Sequence, residues 1–224
     1  MYRRKKVKLV FGVGINDACY AVSKRTQDIS GNVKVIWCPF YKVWTSLLAR
    51  TCGERVKNLQ PTYKDCTVCE EWLTFSNFKS WMETQNWKGK QLDKDILVPG
   101  NKHYSPNTCV FVDTKVNNFI LDGVKRGSPW PVGVSYYKRH RKFHAQCKSA
   151  TLKKDVSLGY FDAPEEAHQA WLTFKLEQAR VLAAEQDDPR VAQALVHRYE
   201  NFNIISKTIH KELDANITLS EGKF

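Results

Sequence analysis

The sequence predicts an α+β chain, and three observations carry that expectation. Apolar and aromatic residues recur at helical spacing in two stretches before residue 90. Two short β-branched runs and a helix crowd into residues 91–122. Beyond them, basic residues alternate with apolar ones, as in strands that bury one face, and a long amphipathic helix follows. At 224 residues the chain has room for one or two domains, and 42% hydrophobic with 12% aromatic residues is enough for real cores. The expected division is 1–122, a linker at 123–131, a sheet domain at 132–186 and a helical extension at 187–224.

Taken in order, MYRRKKVKLVFGVGIN opens with a basic cluster and a short apolar run. Lys8 and two glycines break that run, which predicts a strand with a basic lead-in and not a secretory signal. No stretch approaches the roughly 18 apolar residues that span a bilayer. In YKVWTSLLARTC, Val43, Trp44, Leu47 and Leu48 share one helical face, and Gly53 marks its end. In CEEWLTFSNFKSWMETQNW, Trp72, Phe75, Phe78 and Met82 give a second amphipathic helix whose aromatic stripe reads as core. A unit of about thirty residues buries too little surface to fold alone, so this aromatic segment is the expected support for residues 91–122.

Within QLDKDILVPGNKHYSPNTCVFVDTKVNNFILD, an apolar run stops at Leu92 and Asp93 emerges at a strand end. TCVFVD, Thr108 to Asp113, reads as a second strand, after which Asp113 can cap a short helix that carries Asn117 and ends before Gly123. Asp93 and Asn117 are oxygen donors of the kind that Mg²⁺ takes beside phosphate and water. This segment resembles the HNH (ββα-metal) nuclease motif of phage homing endonucleases. The phrases YKVW…LLAR and VCEEWLTFSNFKSWM also resemble the segment that precedes that motif, although they carry over no catalytic role. The resemblance implies metal ligands at Asp93 and Asn117. It also exposes two departures: Lys94 stands where a general-base His is expected, and Thr108 where an orienting Asn is expected. The base role is open among Lys94 as a neutral amine, His103, whose residue type exchanges protons near neutral pH, and neither of them; Asp95 could orient the water or add a ligand.

Charge is uneven along the chain, which carries +12 overall. Between Lys125 and Lys154 lie nine Lys or Arg residues and no Asp or Glu. Val132, Val134, Tyr136, Tyr137, Phe143, Ala145 and Cys147 are interleaved with them, so the expected arrangement is strands with one buried and one basic face, the footprint of nucleic-acid binding. Ala163, Pro164, Glu165 and Glu166 then start a helix, with Asp162 as cap candidate, and Ala167, Ala170, Trp171, Phe174, Ala179 and Leu182 form its inner face. Three strands and a packed helix with Gly133-Val134, KFHAQCK and LGYFDAPEEAHQAW resemble the AP2 (ethylene-response-factor) DNA-binding domain over about fifty residues. That resemblance implies a sheet in the major groove. Tyr136, Lys138, Arg139 and Arg141 would lie on the first strand and turn, Lys142, His144, Gln146 and Lys148 along the second strand, and Lys153 and Lys154 at the next turn. Phe143 replaces the family's tryptophan, so base preference should differ. GVKRGSPWP, Gly123 to Pro131, reads as the linker, and DDPRVAQALVHRYENFNIISKTIHKEL as a proline-initiated helix with a frayed end.

Seven cysteines include one close couple, Cys66 and Cys69, with Cys38 and Cys52 upstream. A structural zinc site uses two close couples, so zinc is not expected; the odd count and lack of a signal favour a reducing cytoplasm, that of a bacterial host if the chain is phage-encoded. The expectation is a site-specific, Mg²⁺-dependent endonuclease or nickase of the homing type. Its partner would be double-stranded DNA, with no membrane and no small-molecule cofactor, and it would act as a monomer. The alternative is a sequence-specific DNA-binding protein with an inactive nuclease unit. An RNA-binding role is weaker, because the basic face is not a set of stacking aromatics.

Overall fold

The computed structural model describes residues 9–122 and 128–202 and has the mixed α and β character expected. The basic lead-in at 1–8, most of the linker and the chain end beyond Phe202 lie outside the described residues. Contacts divide the chain into two compact units. The first runs to Asp95 and includes Asn101–Val112; the second holds Ile96–Gly100 and everything from Asp113 onward.

In the first unit, residues 9–15 do not form the expected strand. Phe11 and Gly12 turn at positive φ, and Val10 N–H and Gly14 N–H close the turn onto their opposite carbonyls. The next element, unforeseen in the sequence, is a two-stranded antiparallel ribbon of β1 (Ser23–Gln27) and β2 (Val33–Trp37). Helix α1 (Pro39–Cys52) starts on proline and ends at Gly53, as its apolar spacing predicts, and a short α2 (Glu54–Leu59) follows. The second aromatic stretch is not one helix. A 3-10 turn at Glu70–Leu73 precedes α3 (Phe75–Glu83), with Thr74 extended between them. The cause is tertiary: Ile15 donates to the Leu73 carbonyl and accepts from Phe75 N–H, and this long-range bridge holds the chain straight at Thr74.

All the stripe residues but Val43, which is half-buried against them, are nonetheless core. Trp44, Leu47, Leu48, Trp72, Phe75, Phe78 and Met82 are fully buried in one cluster, and the Trp44 indole donates to the Trp72 carbonyl at 2.7 Å. Two small pairings complete the unit. Strand β3 (Thr67–Val68) runs parallel to β5 (His103–Tyr104), and β4 (Gln91–Asp93) runs antiparallel to β6 (Val110–Val112). Leu92 and Phe111 join the aromatic cluster, and the Phe111 ring stacks 5.7 Å from Trp81. The hairpin strands therefore lean on the N-terminal aromatics for the burial that they cannot supply themselves.

The second unit begins with α4 (Thr114–Phe119). Asp113 holds its N-cap position but its side chain makes no capping bond, contrary to expectation. The sequence boundary after Asp122 differs from the division observed after Val112. The end of α4 is tied to later helices: Lys175 donates to the Phe119 carbonyl at 2.6 Å and pairs with Asp122 at 2.9 Å, and Tyr199 and Arg198 also reach this segment. Strands β7 (Val134–Tyr137), β8 (Lys142–Lys148) and β9 (Asp155–Phe161) form one antiparallel sheet in that order. Helix α5 (Pro164–Ala184) covers it, and α6 (Pro189–Glu200) packs on α5. Asp162 does not cap α5; the N-cap is Ala163, and the Asp162 carboxylate instead pairs with Lys142 at 3.1 Å. Helix α6 does have a side-chain cap, from Asp188 Oδ1 to Arg190 N–H. Among the described residues no helix is long and apolar enough to cross a membrane.

Candidate functional site

The turn after β4 gathers charge. Asp93 ends the strand, and its Oδ1 accepts Asp95 N–H at 2.9 Å, folding the two carboxylates into one tight turn. Between them Lys94 is buried, at 8% exposed, and its ammonium donates to Asp95 Oδ2 at 2.9 Å. That contact is a poor arrangement for a neutral general base, which must present a lone pair. Carboxylate oxygens are the donor chemistry of a hard divalent cation, and this turn brings two carboxylates together, one oxygen of Asp95 being held by Lys94.

His103 sits on β5 with its ring exposed and Nδ1 2.9 Å from the Thr67 hydroxyl. Where Thr67 accepts from Nδ1–H, Nε2 keeps its lone pair. Asn101, absent from the sequence expectation, ties this loop together. Its amide donates to the carbonyls of Lys94 and His103, both at 2.7 Å, while its Oδ1 accepts His103 N–H. Its signal was weak, an Asn beside Gly100 in a loop, because the two carbonyls that it bridges are nine residues apart. Thr108, at the position of the family's orienting Asn, donates to the His103 carbonyl at 2.7 Å. It shapes the turn and does not touch the imidazole. Asn117 lies on α4, in the second unit.

Among the described residues no group of three or more His, Cys, Asp or Glu side chains is gathered. Burial pushes the Cys66 thiol up and that of Cys69 to about 11.

The sheet has two chemically distinct faces. Register pairs Val134 with Ala145 on the helix side, where Ala145, Cys147 and Ala167 are buried. Alternation then puts Lys142, His144, Gln146 and Lys148 on the outer side, as expected. Tyr136 does not share that face. It pairs with Phe143 on the helix side and packs on Trp130 and Phe143, with ring centroids 6.2 and 5.2 Å away. Its neighbour Tyr137 points outward instead, in an aromatic group with His140, His144 and Tyr160 that spans all three strands and the first turn. His144 stacks on Tyr160 at 4.7 Å and its Nε2 lies 2.8 Å from the Ser157 hydroxyl. The sequence named Tyr137 only as one of the interleaved apolar residues and did not single out His140 or Tyr160.

Lys138, Arg139 and Arg141 occupy the exposed β7–β8 turn, where Arg141 adopts φ +53°. Lys153 and Lys154 occupy the β8–β9 turn, and Gln178 of α5 fastens that turn by accepting from Ser149 Oγ and Ala150 N–H. Two acids temper the surface: Asp162 pairs with Lys142, and Asp155 stands across from Lys148. Beside the end of β8 a cavity of about 640 Å³ opens toward α4, with Gln146, Lys148, Lys153, Lys115 and Asn118 in its wall.

Comparison with protein-family models, with curated proteins and with solved structures found no match to the chain.

Proposed function

We propose that the chain is a DNA-binding nuclease of the phage homing kind, a site-specific, Mg²⁺-dependent endonuclease or nickase that grips duplex DNA with the outer side of β7–β8–β9. The observation that carries this reading is the division of labour across that sheet. One side is spent on α5 through Ala145, Cys147 and Trp171, while the other offers Lys148 and the turn cations 138, 139, 141, 153 and 154, with exposed rings among them. Cations of this kind fix the protein on phosphates, and His144, Gln146, Tyr137 and Tyr160 are the groups available for base edges.

Hydrolysis is assigned to the turn after β4. Asp93 and Asp95 are the carboxylates that would hold a divalent ion, which when bound would offset the charge that develops on the phosphate and on the leaving 3′ oxygen. His103 is the best-suited base, because its ring is exposed and Thr67 can hold Nδ1–H while Nε2 takes a proton from the attacking water. Lys94 serves better as a buried cation that positions Asp95 than as a proton acceptor.

A second reading, a DNA reader with an inactive nuclease unit, is favoured by one specific feature. Lys94 is engaged with Asp95, and Thr108 with a backbone carbonyl, at the two positions where the resembled motif carries its base and its orienting residue. Supercoiled plasmid carrying a cognate site, incubated with Mg²⁺ or EDTA, separates the two. Asp93→Ala is expected to abolish cutting and leave binding nearly intact, and His103→Ala to slow cutting by about 10²–10⁴-fold. Wild-type protein that binds but never cuts would establish the second reading.

A further inference from the structure

The β1–β2 ribbon plays no part in the function just described, yet it is built in an unusual way. All five residues of β2 are exposed, including Val33, Val35 and Ile36, and in β1 only Ser23 and Thr26 are half-buried; the ribbon touches the core at its base, where Trp37 stacks on Tyr41, and is otherwise uncovered. An isolated pair of strands is marginal in water, and uncovered β-branched side chains add nothing to its stability. Its tip is nevertheless firmly organised. Asp28 Oδ1 accepts the N–H groups of Ser30 and Asn32, its Oδ2 accepts the Asn32 amide, and Gln27 donates to the Gly31 carbonyl, where Gly31 turns at φ +83°. The backbone and side-chain bonds from Asn32 hold the Asp28 carboxyl below its ordinary range. All this bonding presents one apolar side chain, Ile29, wholly to solvent at 108% exposed.

Charge identifies what the ribbon meets. Lys24, Arg25 and Lys34 project from it, and among the described residues no salt bridge takes up any of the three. Asp28, the one acid of the segment, is turned into its own loop. We propose that this ribbon is a second DNA-contacting arm, which lies in a groove of the duplex with its cations on the phosphates and Ile29 against the bases. A two-stranded ribbon fits the major groove, where an apolar side chain such as Ile29 can contact the thymine methyl. The same cations oppose edge-to-edge pairing with a second copy of the chain, the other use of an exposed strand pair. The inference rests on the reading of the chain as DNA-binding, but on different residues from those of the sheet.

The test is fluorescence anisotropy of a labelled mixed-sequence duplex titrated with the full-length protein over a range of salt. Substituting Lys24, Arg25 and Lys34 together by alanine is expected to flatten the plot of log affinity against log salt by about three units. Ile29→Ala is expected to weaken binding several-fold with the slope unchanged; the side chain is solvent-exposed, so circular dichroism of this variant should match wild type. If wild type binds and Lys148→Ala weakens it, but the ribbon variants behave as wild type, the arm is refuted and the sheet stands. If wild type does not bind duplex at all, both fall. Loss of self-association in the ribbon variants by sedimentation, or capture of wild type by anionic phosphatidylserine vesicles but not by DNA, would also overturn the arm.

Discussion

Gly133 shows how a single residue can be committed twice. Its φ is +79°, and a Cβ there would stand 2.1 Å from Trp171 Cδ1, so Gly133 both turns the chain into β7 and lets α5 close on the sheet. Gly133→Ala is expected to destabilise the protein by about 2–4 kcal/mol, measured by chemical denaturation. A change below about 0.5 kcal/mol, the range of ordinary surface substitutions, would mean that the indole simply moves aside. Cys109 makes a different residue-scale statement. Burial pushes its thiol up to about 12, so the unfolded chain gives up that proton at lower pH than the folded one does. The thiol's contribution is complete below the unfolded value of about 8.5 and is lost as pH rises toward 12. Stability should therefore fall over that alkaline window, and Cys109→Ala should flatten the fall. An identical pH profile in the variant would rule Cys109 out as its cause.

At the scale of elements, a buried ion pair is one of several ties that hold the end of helix α4. Lys175, 6% exposed, lies 2.9 Å from Asp122 and 3.7 Å over the Phe119 ring, while Tyr199 donates to the same carboxylate. Lys175→Met leaves that carboxylate buried without its nearest cation and is expected to cost about 3–5 kcal/mol, with Asp122→Asn in the same chain restoring part of it. A denaturation midpoint unchanged from wild type would show that Arg198 and Tyr199 suffice. Neither partner was legible in the sequence, because nothing local joins residues 122 and 175. What was legible follows the same rule. Helices α1 and α5 and the β8 strand announced themselves by apolar spacing against a large buried surface. The β1–β2 ribbon did not, since SKRTQ and VKVIW bury no consistent face. Tyr136 could have been assigned correctly by counting two residues on from Val134. Tyr160 could not, because only the β8–β9 register brings it beside His144.

The whole molecule comprises two units with different chemistry. The first supplies a turn of carboxylates after β4 and an exposed histidine on β5, supported by an aromatic core. The second supplies a basic sheet backed by α5. Composition changes after α4, where the sequence places the boundary, whereas the tertiary contacts divide before that helix. A helix of six residues has little burial of its own, so distant partners decide where it packs.

The proposed function stands or falls on whether the outer side of β7–β8–β9 holds DNA. The most direct test is the salt dependence of duplex affinity for wild type and Lys148→Ala, with Tyr136→Phe, on the opposite side of the sheet, as control. Lys148→Ala is expected to weaken binding and lower the log–log slope by about one unit, while Tyr136→Phe leaves both as in wild type. Equal slopes for wild type and Lys148→Ala, or no salt-dependent binding at all, would contradict it.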